Sequence, residues 1–446
     1  MRNSYRSPVC VTLLVVSFAG AAIAAGVDVA VVTDRQDAMY GVGEMATFEV
    51  SAKQGDTSVT KGDFEYTLTI DGAKQVSAGK GRFGSEPAQV EGCLQEPGIL
   101  CCTVIYRGGD KPVVKYAAAA FDPEKIAPTA VEPDRFADFW KHNKAKLARV
   151  PMDARLVKSM KYCDESKTVY KISLGNILGT RVYGWLGVPT NAGPHPAILT
   201  VPGAGVYPIS AGGVTWAQRG FIAMSISVHD YDVDMPKKRY EELSAGALRS
   251  YPFRGRQSRR SYYFLTTFLG CVRAIDYLTS RPEWDGVNVV VNGSSQGGAL
   301  SIVTAGLDDR VSLIAANVPA LCDHSGKFYG RPSGWPRLIP AEDEGGRVRE
   351  TAGYYDAVNF ARYVQCPAAF GVGLIDRTCP ATTVYSAFNV IETPKAIVCS
   401  PLMGHSQSRE YSAFKENWIF EHVFGRDVGA GGLSVGAVCD GYYCHR

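Results

Sequence analysis

Between residues 27 and 121, apolar and polar side chains alternate along short stretches that glycine and aspartate interrupt. The clearest alternating stretches are residues 45–52, 63–70 and 102–106. A period of two is typical of strands with one buried face, and frequent turns between short strands are typical of two packed sheets. We therefore predict a small all-β domain, an immunoglobulin-like sandwich, over residues 26–121.

A proline-containing segment and a helix follow this region. Residues 122–133 contain three prolines and few large apolar side chains, which indicates a linker. An acidic residue beside Pro133 is a signal for a helix start. The apolar face of the predicted helix is formed by Phe136, Phe139, Trp140 and Leu147.

From residue 169 onward, continuous apolar runs alternate with helix-like segments. The runs predicted as strands are 169–174, 182–188, 196–201, 221–228, 287–291, 313–318, 368–375 and 395–399. The predicted helices include 260–279, 297–306, 382–390 and 414–424. Strands without polar alternation suit a parallel sheet covered on both faces, so we predict a doubly wound α/β domain over residues 134–426. A glycine- and cysteine-containing tail follows at 427–446.

The N-terminus has the pattern of an export signal. Two arginines precede an apolar run at residues 9–18, and residues 22–24 have the small–x–small pattern of a cleavage site. A membrane anchor or a buried helix is the alternative, but the run is shorter than the ~20 residues that span a bilayer. We expect a signal peptide at 1–25, a secreted or periplasmic protein, and no stable membrane insertion after cleavage.

Length, charge and cysteines narrow the picture further. The 446 residues carry a formal net charge of +3, which suits two folded units and gives no reason to expect nucleic acid as a partner. Export predicts that some of the twelve cysteines pair, with Cys93 near Cys101 or Cys102, and Cys439 near Cys444. The spacings give no metal-binding motif, so no metal and no cofactor are predicted.

Two Gly-x-Ser-x-Gly motifs occur, and only one has suitable surroundings. The motif at 432–436 lies in the glycine-rich tail, without a strand before it or a helix after it. The motif at 293–297 lies between a predicted strand and a predicted helix, as a nucleophile elbow requires, because the tight turn makes the serine project at the sheet edge. This context predicts Ser295 as a nucleophile. A glycine-rich turn with an inert serine is the alternative.

A serine needs a base and an orienting acid to act as a nucleophile. His405 follows the last predicted strand and is the preferred base, whereas His422 lies within the closing helix. Asp376 directly follows the strand before and is the preferred acid, with capping of the next helix as its alternative role. Asp309 and Asp323 are weaker candidates, because they precede that strand.

Two backbone N–H groups are expected to form an oxyanion hole. Gln296 follows the nucleophile, and Ala204 lies in the glycine-containing loop after strand 196–201. A cluster of arginine and aromatic residues at 254–264 is either a sugar-binding surface or a solvated helix start with buried aromatic side chains. The second interpretation is preferred.

Five motifs distinguish this region, and they lie at residues 133–140, 262–264, 293–297, 373–380 and 404–405. With them the chain resembles the acetyl xylan esterase and cephalosporin C deacetylase family of carbohydrate esterases, over about residues 133–424. The resemblance implies an α/β-hydrolase fold and metal-independent removal of acetyl groups from acylated sugars.

The resemblance also carries roles to individual residues. It implies a triad of Ser295, Asp376 and His405, and oxyanion donors at Gln296 and Ala204, the latter where the family usually has tyrosine.

The chain departs from the family pattern at three places. Ser406 follows His405, where the family usually has glutamate. His229 and Asp230 stand where an Arg-Gly-Gln motif is expected, and the N-terminal β domain is an addition.

Together these features predict a secreted serine esterase that removes acetyl or other small acyl groups from acylated polysaccharides or oligosaccharides such as xylan. A feruloyl-type esterase or a serine peptidase of the same fold is one alternative. A catalytically inactive glycan-binding protein on a hydrolase scaffold is another. The expected partner is an acylated carbohydrate, and a homo-oligomer remains open.

Overall fold

The computed structural model describes residues 26–109, 111–425 and 442–443. The predicted signal peptide, the predicted pairing of Cys439 with Cys444, and the motif at 432–436 lie outside these residues. Within them, no helix combines the length and the apolar character that crossing a membrane requires.

The N-terminal region folds as two packed sheets. Its strands are β1 (Val27–Thr33), β2 (Met39–Tyr40), β3 (Ala46–Gln54), β4 (Thr57–Ser58), β5 (Asp63–Ile70), β6 (Lys74–Arg82), β7 (Ala88–Gly92), β8 (Gly98–Tyr106) and β9 (Val113–Phe121). One sheet contains β1, β3, β4 and β7, and the other has the order β2-β9-β8-β5-β6. Phe48 of the first sheet and Val104 of the second belong to one hydrophobic cluster. The predicted all-β sandwich is confirmed.

The rest of the chain is built on a single ten-stranded sheet. Its strands are β10 (Arg155–Lys158), β11 (Lys167–Gly175), β12 (Arg181–Pro189), β13 (His195–Val201), β14 (Ile222–Ile226), β15 (Trp284–Ser294), β16 (Leu313–Asn317), β17 (Ala368–Gly373), β18 (Lys395–Ser400) and β19 (Tyr442–Tyr443). They are arranged β10-β11-β12-β14-β13-β15-β16-β17-β18-β19. The pairs from β14 to β19 are parallel, whereas β10, β11 and β12 pair antiparallel.

Helices cover both faces of this sheet. They are α1 (Phe136–Ala148), α2 (Lys237–Ala245), α3 (Phe264–Thr279), α4 (Gln296–Leu307), α5 (Arg347–Gly353), α6 (Ala357–Ala361), α7 (Ala381–Asn389) and α8 (Arg409–Phe424). Neighbouring residues of β13 enter different cores: Leu199 joins the cluster that contains α3 and α4, and Ile198 joins the cluster that contains Trp418 of α8. The sheet is therefore doubly wound, as predicted. The order reverses between β13 and β15, which is where such sheets form their sites.

Some elements differ from the sequence prediction. Helix α8 begins at Arg409, five residues before the predicted start, because the Ser408 hydroxyl accepts the Tyr411 N–H at 3.0 Å and caps the helix. Helix α3 begins at Phe264, since residues 260–263 form turns.

The sandwich and the ten-stranded sheet are joined by a shared core. Along β9, Ala117 and Ala119 face the interior of the sandwich, whereas Ala118 and Ala120 belong to the large core of the second unit. The second half of β9, residues 117–121, thus has both faces buried, because successive strand residues point to opposite sides.

A buried polar contact joins the same two units. Asp71, directly after β5, accepts hydrogen bonds from the backbone N–H of Thr382 at 3.3 Å and from the Thr382 hydroxyl. Burial raises the pKa of the Asp71 carboxyl to about 7, and the nearby Asp376 carboxylate acts in the same direction.

The predicted pairing of Cys93 is wrong. Cys93, Cys101 and Cys102 each carry a free thiol. Cys93 follows β7 in one sheet, whereas Cys101 and Cys102 lie in β8 of the other sheet. Cys102 is fully buried in the sandwich core, and Cys101 points the opposite way.

Candidate active site

Ser295 lies in a sharp turn between β15 and α4. Its backbone has φ 60° and ψ −121°, a conformation that residues with a Cβ rarely adopt. Its N–H donates to the carbonyl of Asn317 at 2.9 Å, which fixes the turn against β16. A Cβ added to Gly297 would lie 2.4 Å from the carbonyl oxygen of Val201, so only glycine lets α4 approach β13 so closely. This is the strand–turn–helix geometry of a nucleophile elbow.

The three predicted side chains meet at the carboxyl edge of the sheet. His405, in the loop after β18, has Nε2 at 2.8 Å from the Ser295 hydroxyl oxygen. Its Nδ1 lies 2.7 Å from Oδ2 of Asp376, which follows β17. A carboxylate can only accept, so Nδ1 carries the proton and Nε2 is left to accept the serine proton. The arrangement suits nucleophilic attack by the serine with the imidazole as base.

Asp376 is held rigidly in this position. Its side chain is buried, and Oδ1 accepts the backbone N–H groups of Thr378 at 2.7 Å and Cys379 at 3.0 Å. The alternative role of a helix cap is not observed, because the residue at the cap position of α7 is Pro380. One carboxylate oxygen therefore shapes the turn, and the other orients the imidazole.

Cys379 is a neighbour of the nucleophile that the sequence did not mark as functional. Burial raises the pKa of the Cys379 thiol well above its ordinary value, and the Ser295 side chain acts on this pKa in the opposite direction. Ligand atoms of Asp376, Cys379 and His405 lie within 4.8 Å of one another, close enough to share a metal ion. Metals bind the thiolate form of cysteine, which burial disfavours at Cys379. The three side chains therefore suit proton transfer better than metal binding. Metal independence stays a prediction.

The two predicted oxyanion donors flank the turn. Gln296 is the first residue of α4, and Ala204 lies in the loop after β13. Within the described residues, neither backbone N–H has a hydrogen-bond acceptor, so both are available to a ligand. The Gln296 amide also reaches the Ala204 loop, where it donates to the carbonyls of Pro202 at 3.5 Å and Gly203 at 3.4 Å.

Residues that the sequence ranked lower lie elsewhere. His422 packs on Trp418 and bonds its carbonyl at 2.8 Å. Asp323 is buried and accepts backbone N–H groups of Thr129 and Ala130, so its role is structural.

In the arginine and aromatic cluster, Tyr262 and Phe264 are buried, and Arg256 donates to the carbonyl of Leu338. This agrees with the preferred interpretation of buried aromatic side chains.

Three supporting residues were missed by sequence reasoning. The Asn317 amide donates to the Ser294 hydroxyl at 2.8 Å and to the Ser406 carbonyl at 3.2 Å, which ties the elbow to the histidine loop. Tyr251 and His229 both form hydrogen bonds to the backbone of Gly205, in the Ala204 loop. The only sequence signal for them was the departure from the family pattern at His229.

Comparison with known proteins places the chain in a family. The family model described as acetyl xylan esterase (AXE1) matches residues 124–422. The acetyl esterase Axe7A of Xylanibacter ruminicola is 33% identical over 398 residues, which cover 88% of this chain and 90% of that protein.

Two solved structures each resemble about two thirds of the chain. The acetyl xylan esterase from Paenibacillus sp. R4 has a TM-score of 0.58 at 25% identity, covering 67% of this chain and 97% of its own. Acetyl xylan esterase 1 from Thermoanaerobacterium sp. JW/SL YS485 has a TM-score of 0.60 at 23% identity, covering 68% and 98%. They confirm the α/β-hydrolase fold. The chain therefore belongs to the acetyl xylan esterase (AXE1) family and is a carboxylic ester hydrolase.

Proposed function

We propose that this protein removes acetyl groups from acetylated xylan or related oligosaccharides, with Ser295, His405 and Asp376 as its triad. The observation that carries the proposal is the continuous hydrogen-bonded chain from the serine hydroxyl through both imidazole nitrogens to a buried carboxylate. We also propose that residues 1–25 are a signal peptide and that the enzyme acts outside the cytoplasm.

In the first half of the reaction, the Ser295 oxygen attacks the acetyl carbonyl while His405 Nε2 takes its proton. The carbonyl oxygen becomes negatively charged and accepts the N–H groups of Gln296 and Ala204. Asp376 stabilises the imidazolium that forms. The intermediate then collapses, His405 returns the proton to the departing sugar hydroxyl, and an acetyl-serine remains.

In the second half, a water molecule takes the place of the sugar. His405 removes a proton from this water, which attacks the acetyl-serine carbonyl. Collapse of the second intermediate returns the proton to the Ser295 oxygen and releases acetate. The same imidazole and oxyanion donors therefore serve both steps.

Family membership and the similarity to the acetyl esterase Axe7A support an acetyl group as the acyl part. The bonded order of serine, imidazole and carboxylate argues against an inactive glycan-binding protein. A panel of 4-nitrophenyl esters with growing acyl chains separates an acetyl esterase from one for bulkier groups. We expect activity to fall beyond short chains.

The decisive variant is Ser295→Ala, assayed by acetate release from acetylated xylan and by hydrolysis of 4-nitrophenyl acetate. We expect kcat to fall by roughly 10⁵-fold, because the nucleophile is lost. Ser301→Ala is the matched control, since Ser301 is a buried serine of α4 whose hydroxyl donates to the carbonyl of Gly297. Undiminished activity in Ser295→Ala would refute the proposed mechanism.

A further inference from the structure

We propose that His229 is a positioning residue for the oxyanion hole, which holds the loop bearing Ala204 at a fixed distance from the nucleophile. This inference rests on the proposed function, since it assigns a task within that mechanism. His229 does not touch the reacting atoms. It acts through the backbone of Gly205, next to the proposed donor.

The loop at 202–205 has no regular structure of its own, so contacts from other elements must hold it. Gly205 has φ 128°, a conformation in which a side chain would be strained. Both of its backbone groups are bound: the carbonyl oxygen lies 2.9 Å from His229 Nε2, and the N–H donates to the Tyr251 hydroxyl at 3.2 Å. The N–H bond fixes the peptide plane between Ala204 and Gly205, and the carbonyl bond fixes the plane that follows Gly205.

The hydrogen-bond partners determine the protonation state of His229. A carbonyl oxygen only accepts, so Nε2 carries a proton. Burial lowers the pKa of the His229 imidazole to about 4, so the ring is neutral near pH 7 and Nδ1 is an acceptor. The Tyr263 hydroxyl, at 2.6 Å from Nδ1, is therefore the donor. Every polar atom of the ring thus has a partner of the right kind.

Tyr251 links this arrangement to the other oxyanion donor. Its hydroxyl oxygen accepts the Gly205 N–H, so its own proton is free to go to Oε1 of Gln296 at 2.7 Å. The amide nitrogen of Gln296 in turn donates to the carbonyls of Pro202 and Gly203. The residue that bears one oxyanion donor is therefore joined by side-chain bonds to the loop that bears the other.

The ring of His229 is tightly enclosed. It is 2% exposed, stacks on Tyr231 with centroids 5.2 Å apart, and meets the edge of Tyr251 at 4.7 Å. Arg254, whose positive charge also lowers the pKa of His229, lies over the Tyr263 ring. Such packing restricts the imidazole to one orientation. His229, at the position where the family pattern expects Arg-Gly-Gln, thus provides a rigid hydrogen-bond donor to the Ala204 loop.

The test compares His229→Phe, which keeps an aromatic ring without hydrogen bonds, with His229→Gln, which places an amide N–H near the position of Nε2. On 4-nitrophenyl acetate, we expect His229→Phe to lower kcat by ~10- to 100-fold with KM changed by less than about threefold, because the donor acts in the transition state. Affinity for a trifluoromethyl ketone, which forms a tetrahedral adduct with the serine, should fall in parallel. His229→Gln should recover most of both losses.

Tyr355→Phe is the matched control for the loss of a buried polar group, since its hydroxyl bonds the carbonyl of Arg259 away from the loop. It should leave both readouts unchanged. Should His229→Phe fail to fold, Tyr251→Phe serves in its place, with the same parallel loss expected. Full kcat in the variant, or a loss of kcat without a loss of ketone affinity, would overturn the inference. Ser295→Ala tests the mechanism itself: activity in that variant would refute the proposed function, whereas a normal His229→Phe variant beside an inactive Ser295→Ala variant would refute only the role of His229.

Discussion

Ser295 keeps its hydroxyl at the edge of the sheet by holding a backbone conformation that costs free energy. Residues with a Cβ in such regions of φ and ψ are destabilised by about 1–3 kcal/mol, which the surrounding structure must offset. Here the bond from the Ser295 N–H to Asn317 and the contact of α4 with β13 supply that support. Ser295, the proposed nucleophile, is thus a position at which stability is given up for geometry.

This strain gives a prediction for two inactive variants. Ser295→Ala keeps the Cβ and its strain, whereas Ser295→Gly removes it, so the glycine variant should be more stable by about 1 kcal/mol after the entropy of glycine is allowed for. Urea denaturation of both variants measures the difference. A glycine variant that is less stable than the alanine variant would show that the turn is unstrained.

At the residue scale, sequence reasoning found the positions that follow strands and missed those that act across loops. Ser295, Asp376 and His405 each come directly after a strand or in the loop that follows it, and parallel strands bring such positions to one edge. His229 and Tyr251 lie 66 and 44 residues before Ser295, counted along the sequence. The local sequence pattern does not indicate which side chains meet across such distances. The catalytic roles of the three side chains at the sheet edge are proposals.

Among the elements, the pairing of α4 with β13 depends on two glycines. A Cβ on Gly293 would lie 2.6 Å from the Gly297 carbonyl carbon, and a Cβ on Gly297 would lie 2.4 Å from the Val201 oxygen. Backbone atoms cannot move aside as a flexible side chain can. The helix must shift if either glycine is replaced.

We expect Gly297→Ala to destabilise the protein by ~1–3 kcal/mol and to lower kcat, because α4 carries the Gln296 N–H. Gly345→Ala is the control, since a Cβ there meets nothing within 4 Å. Thermal unfolding and 4-nitrophenyl acetate hydrolysis measure the two effects. Normal stability and activity in Gly297→Ala would mean that the helix does not need this close approach.

Elements with a clear burial pattern were predicted well. Strand β16 at Leu313–Asn317 is buried at every position, and its continuous apolar run located it within one residue. Strand β10 is exposed at every position, and only Tyr240 of α2 is buried, so neither gives an apolar pattern to detect. The spacing of apolar residues indicates which positions are buried, and it indicates secondary structure only where an element has a buried face.

At the scale of the whole molecule, the buried carboxyl of Asp71 makes the joint between the two units sensitive to pH. Its folded-state pKa of about 7 lies above the ordinary value of 3.8, so the folded protein binds this proton more tightly than the unfolded chain does. The associated stability is complete below about pH 4 and is lost as pH rises to about 7.

Asp71→Asn should remove this dependence, because an amide keeps an acceptor for Thr382 without a buried charge. We expect the variant to be more stable than the natural protein by about 1–3 kcal/mol at pH 8, with little or no advantage at pH 4.5. Asparagine also suits the φ of 48° at this position. Thermal unfolding at both pH values provides the measurement.

Asp63→Asn is the control for this comparison, since Asp63 is exposed and forms a surface ion pair with Arg82. It should leave the difference between the two pH values unchanged. A constant effect of Asp71→Asn across pH would mean that Asp71 does not take up a proton on folding in this range.

The alanine residues of β9 determine what happens when the enzyme is shortened by removal of its N-terminal sandwich. Ala117 and Ala119 pack in one core, and Ala118 and Ala120 pack in the other. Neither face of this part of the strand therefore carries the polar side chains of a protein surface. Removal of the sandwich would expose to water the side of α7 that packs against β8, and α7 follows the loop that contains Asp376. A shortened enzyme would need polar substitutions on the newly exposed surface before its esterase activity could be compared with that of the full chain.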